Sequence, residues 1–117
     1  SADALEHASE FAFRMGTTVA VSGAVDYLTD GTHVLEVRSG HEIMTRVTGV
    51  GCALGALVAA CCAVESSPLV AAGAATTILT VAAEVAVARS TGPGSFAVAL
   101  LDALADLDSS ALRTYGG

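Results

Sequence analysis

The chain contains no lysine and no tryptophan, and its five cations, all arginine, stand against twelve carboxylates for a formal charge of -7 over 117 residues. That balance repels a phosphate backbone rather than attracting it, so nucleic acid is excluded as an expected partner. Aromatic residues are also scarce: two tyrosines and three phenylalanines leave the interior to Ala, Val and Leu. Small side chains allow helices to approach closely, so tight helix packing is expected. The cysteines, Cys52, Cys61 and Cys62, are odd in number, and adjacent Cys61 and Cys62 cannot lie side by side on a helix. A secreted disulfide framework is therefore disfavoured, and a reducing cytoplasm fits better. A basic leader region and a cleavage site are missing from the first residues, so nothing points to export. The chain opens at Ser1 rather than at a methionine, which is compatible with removal of that residue or with a piece of a longer protein.

What is present is apolar. With 53% hydrophobic and 15% charged residues, the chain is long enough for one compact domain with a real core. Residues 47–64 and 66–83 carry no charge at all, and each approaches the ~20 residues of a bilayer span. Both stretches are dominated by Ala, Gly, Thr and Ser, and the first opens on a glycine turn whose amides would stand bare in lipid. Covered core helices are expected rather than membrane spans.

Along the chain, residues 2–15 set Leu5, Ala8, Phe11, Ala12 and Met15 at helical spacing with Asp3, Glu6 and Glu10 on other faces. That pattern predicts an amphipathic helix covering a sheet and stopped at Gly16. Residues 17–21 are β-branched and apolar and read as a short buried strand ended by Ser22-Gly23. Helix, loop and strand together make half of a βαβ unit. Residues 27–29 and 33–38 flank Asp30-Gly31, a dipeptide that tolerates positive φ, and predict a hairpin. Residues 43–47 read as an extended segment. A helix is predicted over 52–64, a second over 69–89 after Ser67 as cap and Pro68 at its first position, and a last one over 96–106 with Ser95 as cap. Arg89 at the end of the second suits the helix dipole.

The stretch Val47-Thr48-Gly49-Val50-Gly51-Cys52 carries the most chemistry. Two glycines let the backbone bend, and the free N–H groups opening the following helix then converge on one spot at the positive end of the dipole. An anion fits there, and the Cys52 sulfur beside it can accept or orient a proton. The local motif also admits a bland reading, a tight connection into a helix with a small cysteine.

Several stretches together resemble the hydroxyethylthiazole kinase family, a branch of the ribokinase-like superfamily with cysteine where relatives carry an aspartate base. They are Met44-Thr45-Arg46-Val47-Thr48-Gly49-Val50-Gly51-Cys52, Val19-Ala20-Val21-Ser22-Gly23-Ala24-Val25-Asp26-Tyr27-Leu28-Thr29-Asp30-Gly31, Gly92-Pro93-Gly94-Ser95-Phe96 and Leu100-Leu101-Asp102-Ala103-Leu104. The resemblance covers essentially the whole chain. It implies an α/β, ribokinase-like three-layer fold, with residues 1–117 as the C-terminal part of a single kinase domain: few strands, a hairpin and about four helices.

The same resemblance implies a cytoplasmic transferase of thiamine biosynthesis or salvage. It would move a phosphoryl group from ATP, with Mg²⁺, to the hydroxyl of 4-methyl-5-(2-hydroxyethyl)thiazole, without membrane or nucleic acid, as a homotrimer at full length. Catalytic roles fall to Cys52, Gly51 and Val50, thiazole binding to Gly49, and ATP binding to Ser22, Gly49 and Gly51. Ser22 stands where the family usually has threonine and keeps a hydroxyl. Val50 replaces the usual Thr or Ser and keeps only its amide. The family's Mg²⁺ motif and an arginine that meets ATP phosphates are expected before Ser1, so the chain alone is not expected to turn over.

Two alternatives stand beside this one. A related vitamin or pyrimidine kinase would favour Asp at position 52, and a non-catalytic helical interaction module would use the glycine turn only as a connector. Cys61 and Cys62 are expected as small buried packing residues, and His7, His33 and His41 as ordinary polar positions. Glu84 faces solvent, a neighbour or a subunit interface. Gly92-Pro93-Gly94-Ser95 reads as a connector, because Pro93 removes an amide from any phosphate nest.

Overall fold

A computed structural model describes residues 2–115. In chain order it has helix α1 (Ala2–Met15), strands β1 (Val19–Val21), β2 (Asp26–Thr29) and β3 (Val34–Val37), a 3-10 turn (Glu42–Arg46), and helices α2 (Val50–Val64), α3 (Pro68–Ala88), α4 (Pro93–Asp106) and α5 (Ser109–Tyr115). The strands form one antiparallel sheet in the order β1-β2-β3. Thr29 lies opposite Val19 on one side and Val34 on the other.

Alternation along β2 makes the layers. Leu28 and Thr29 are adjacent and point to opposite faces of the sheet. Leu28 packs with Val37, Leu69 and Ala72, which brings α3 onto one face. The Thr29 hydroxyl meets that of Ser9 on α1 at 3.2 Å on the other face. Helix, sheet and helix are thus stacked in three layers, the α/β arrangement expected from the resemblance. Helices α2 and α4 flank α3 and extend its layer.

A single core binds that layer together. Leu79, Ala82, Ala83 and Ala86 of α3 pack against Phe96, Leu100 and Ala103 of α4. Helix α3 is apolar and long enough for a membrane span, yet 61% of its most apolar window is buried inside the chain. Ser67 caps it by accepting the Val70 N–H, with Pro68 next in the chain.

The hairpin forms where Asp30-Gly31 predicts it, with a four-residue connection between Thr29 and Val34. Asp30 Oδ1 accepts the N–H groups of Thr32 at 2.8 Å and His33 at 2.7 Å. Those donors, His33 first and Thr32 next, hold its carboxyl below the ordinary value of 3.8. A depressed folded value means that the contribution is complete above the unfolded value, about 3.9, and is lost as pH falls through the folded one. The Thr32 and His33 amides are therefore expected to lose exchange protection in acid below that range, as NMR would record. Unchanged protection down to pH ~2 would contradict this, since both partners of the bond would then be intact with the carboxyl protonated.

Several expectations need correction. Of residues 43–47 only Val47 is extended: residues 42–46 form the 3-10 turn, because His41 Nδ1 accepts the Ile43 N–H and the Thr45 hydroxyl donates to the Glu42 carbonyl. Ser95 is not the cap of α4. Gly92 is, and Ser95 sits in the first turn, where its oxygen accepts the N–H groups of Thr91 and Gly92. A fifth helix, α5, begins after Asp108, whose carboxylate accepts the Ala111 N–H.

On α1, Ala8 and Ala12 face inward as expected, but Phe11 is 55% exposed and Met15 65% exposed. The helix touches β1 and β2 through its alanine edge, leaving the larger side chains of its stripe uncovered. Helix α2 is not covered all round either: none of its residues is buried. It lies at the rim of its layer against α3, so Cys62 is exposed and Cys61 half-buried rather than enclosed.

Candidate functional site

The connection from the 3-10 turn into α2 is short. Val47 is extended, and Gly49 then takes φ 92° and ψ -5° as the helix cap. That left-handed conformation strains any residue with a Cβ, which is the physical reason for glycine at this position. The Gly49 carbonyl accepts the Ala53 N–H at 2.9 Å, fixing the helix start, and no side chain caps the first turn. The N–H groups of Val50, Gly51 and Cys52 precede the first intrahelical donor and have no carbonyl four residues back to reach within the helix. Val47, Val50 and Leu54 pack towards the core, so the turn has a firm base.

This turn forms one wall of an open cavity of about 760 Å³, within the range of ~300–1,000 Å³ usual for small-molecule sites. A second wall is the β1–β2 connection, with Ser22, Gly23 and Asp26; the Gly23 N–H donates to Asp26 Oδ1 at 3.0 Å and closes that turn. A third is the segment from Ser39 to Thr45, and the floor is α3 through Thr76, Leu79 and Thr80. Met44, Val47, Val50, Leu54 and Leu79 make much of the lining apolar, suited to an apolar ligand group. The amide turn suits an anionic one.

Of the residues singled out in the sequence, Ser22, Gly49, Val50 and Gly51 come together on this cavity although Ser22 is far from the others along the chain. Cys52 is exposed in the first turn of α2, next to Gly51, and is not among the lining residues. Gly92, Pro93, Gly94 and Ser95 are not on the cavity either; they form the entry to α4. Sequence reasoning missed the contributions of Asp26, His41, Glu42 and Thr45, and of Thr76 and Thr80 from the middle of α3. His41 is spent on capping the 3-10 turn, an ordinary polar role. The threonines had one available signal, hydroxyls four residues apart in a helix whose other polar residues are only Thr77 and Glu84.

A three-layer α/β fold whose cavity joins an apolar wall to the unpaired amides that open α2 can receive a ligand with an apolar part and an anionic part. The sequence model of the Hydroxyethylthiazole kinase family matches residues 1–110, and the chain belongs to that family.

Its relatives agree. A hydroxyethylthiazole kinase of Granulibacter bethesdensis is 53% identical over 113 residues, covering 97% of this chain and 41% of the relative. One of Kineococcus radiotolerans is 52% identical over 111 residues, covering 95% and 40%. The solved structure of the hydroxyethylthiazole kinase protein from Pyrococcus horikoshii OT3 superposes with a TM-score of 0.93 at 42% identity, over 98% of this chain and 45% of that one. The chain thus spans about 40% of the length of the curated relatives it matches.

Proposed function

We propose that residues 1–117 are the C-terminal part of a single kinase domain that transfers the γ-phosphoryl group of ATP to the hydroxyl of 4-methyl-5-(2-hydroxyethyl)thiazole in thiamine biosynthesis or salvage. The observation that carries this reading is the meeting of Ser22, Gly49 and Gly51 on one cavity with an apolar wall. In the proposed reaction the alcohol oxygen attacks the γ-phosphorus while the bond to the departing ADP oxygen breaks, and the hydroxyl proton leaves for water or for Cys52 in its thiolate form. The amides of Val50, Gly51 and Cys52 neutralise charge on the moving group, the Ser22 hydroxyl donates to ATP, and Gly49 lets thiazole and phosphate approach the backbone.

Phosphoryl transfer depends mainly on alignment and charge neutralisation, and alignment alone supplies up to about 7–11 kcal/mol. Cys52 therefore need not be a strong base; its place beside the amide turn suits orienting the hydroxyl.

Mg²⁺ is proposed to accompany ATP and draw charge from its phosphates. No group of three His, Cys, Asp or Glu able to hold a metal occurs among the described residues. Asp26 and Glu42 are the carboxylates on the cavity wall, and Asp26 already accepts the Gly23 N–H. Since Mg²⁺ is usually held by phosphate oxygens, water and one or two carboxylates, this chain would supply at most those two.

We further propose a cytoplasmic homotrimer at full length. Exposed apolar residues such as Val64 on α2 and Val98 and Leu101 on α4 supply surface that additional chain would cover.

A chimera tests the reading: this chain replaces the matching 113 residues of the Granulibacter relative, and thiazole-dependent ADP release is measured. Turnover within about tenfold of the parent, a difference of ~1.4 kcal/mol in the barrier, is expected. A folded chimera that releases no ADP in response to the thiazole would rule against the proposal.

A further inference from the structure

We propose that Glu84 is a positioning residue: from α3 it holds the backbone of Gly40 and so sets the cavity wall formed by residues 39–41. The nucleotide effect of this clamp rests on the kinase reading above; the clamp itself does not.

Three contacts join that segment to α3. The Gly40 N–H donates to Glu84 Oε1 at 2.9 Å, across 44 positions of sequence. The hydroxyls of Ser39 and Thr80 meet at 2.5 Å. Thr80 spends its single proton on the Thr76 carbonyl at 2.8 Å, so Ser39 is the donor in that pair. Gly40 itself lies against Thr80 at φ 116°, where an added Cβ would stand 3.4 Å from the Thr80 Cβ and Cγ2 atoms. Backbone, hydroxyl and packing contacts therefore converge within two residues.

The segment immediately after Gly40 leads into the site. His41 caps the 3-10 turn, the turn carries Met44 to the cavity, and Val47 leads directly into the amide turn at Gly49. Residues Ser39 and Gly40 line the cavity together with Thr80, whereas Glu84 is not a lining residue. A carboxylate near the C-terminal end of the apolar helix α3, half-buried and accepting an amide from a distant loop, acts on the ligand through the loop rather than by touch. Without it, the Gly40 N–H loses its acceptor and the loop is left to the Ser39–Thr80 hydrogen bond and the packing of Gly40 on Thr80.

The test uses the chimera with the Granulibacter relative described above, carrying Glu84, Glu84→Ala or Glu84→Gln, with hydrogen exchange of the Gly40 amide read by NMR and ADP binding read by calorimetry with magnesium present. Alanine is the best helix former, so the first variant retains α3. It is expected to speed Gly40 exchange about tenfold or more and to weaken ADP binding by about tenfold, the scale of one hydrogen bond to a charged acceptor. The Gln oxygen can accept the same N–H, so Glu84→Gln is expected to restore both to within about threefold of wild type. A merely structural role would not be rescued in the affinity alone.

Gly40 exchange that ignores residue 84 would overturn the clamp. Affinity unchanged in Glu84→Ala despite a freed amide would overturn its positioning role, as would a Gln variant as weak as Ala. If the chimera with Glu84 in place binds no ADP while Gly40 exchange still depends on residue 84, the nucleotide reading fails and the clamp stands.

Discussion

In the chimera with the Granulibacter relative, replacing Gly51 by aspartate is expected to reduce ADP affinity at least about a hundredfold, equivalent to ~2.7 kcal/mol. Gly51 lies in the first turn of α2 and on the cavity wall. Outside the helix's own backbone, no atom lies within 4 Å of where its Cβ would stand, so the first atom of the new side chain meets no steric obstacle. A carboxylate there places negative charge where the amides of Val50, Gly51 and Cys52 would receive phosphate, and like charges a few ångströms apart in a partly enclosed cavity repel strongly. The substitution does not threaten the helix, because an acidic residue in the first turn complements the dipole. Gly51→Ala is the control: it adds volume without charge and should bind ADP within about threefold, while gaining ~0.5–1 kcal/mol in helix stability. Calorimetry decides. Equal affinity in the aspartate variant and wild type would remove phosphate from the turn.

Phe96→Ala is expected to be the most damaging change to the fold, at about 3–5 kcal/mol. Phe96 is fully buried, the largest of the enclosed side chains. Its neighbours Ala82, Ala83, Ala86 and Ala103 are too short to swing into the space it leaves. The cavity would remain largely open, so both the transfer and the void contribute to the cost. Against a total stability of about 5–15 kcal/mol for a domain, such a loss lowers the melting temperature by about 10–20 °C. Thermal unfolding of the two chains measures it. A fall under ~1 kcal/mol would mean that α3 and α4 collapse together more readily than an alanine-rich interface permits.

The second effect reaches the site through the same contacts. Val47, Val50 and Leu54 lean on the cluster around Phe96, so loosening α4 also loosens the base of the amide turn. Glu84 operates on the opposite wall, through Gly40. The cavity is thus held by a packed apolar side and a hydrogen-bonded polar side, and α3 contributes to both.

Much of this is legible in the sequence because the signals are local. Ser67-Pro68 opens α3 by cap and fixed φ, Asp30 ties the hairpin turn through amides two and three residues away, and Gly49 is required by its own backbone angle. The turn into α2 is recognisable as a glycine-opened helix start for the same reason. The segment 42–46 misleads because Ile43, Thr45 and Val47 have strand-like side chains, whereas the His41 cap and packing near α4 decide its shape. Tertiary context overrides a weak local preference there.

By itself, the sequence determined the glycine turn, the hairpin, the three principal helices of the α3 layer and the family to which they belong, since each depends on residues within a few positions of one another. Only the tertiary structure decided that Thr76, Thr80 and Glu84 stand behind the Ser39–Gly40 wall, that α2 keeps its outer face open, and that Ser22 meets Gly51 across one cavity. Those facts depend on how helices and sheet are stacked, and stacking is set by the summed burial of many small apolar side chains, none of which marks its partner in the sequence.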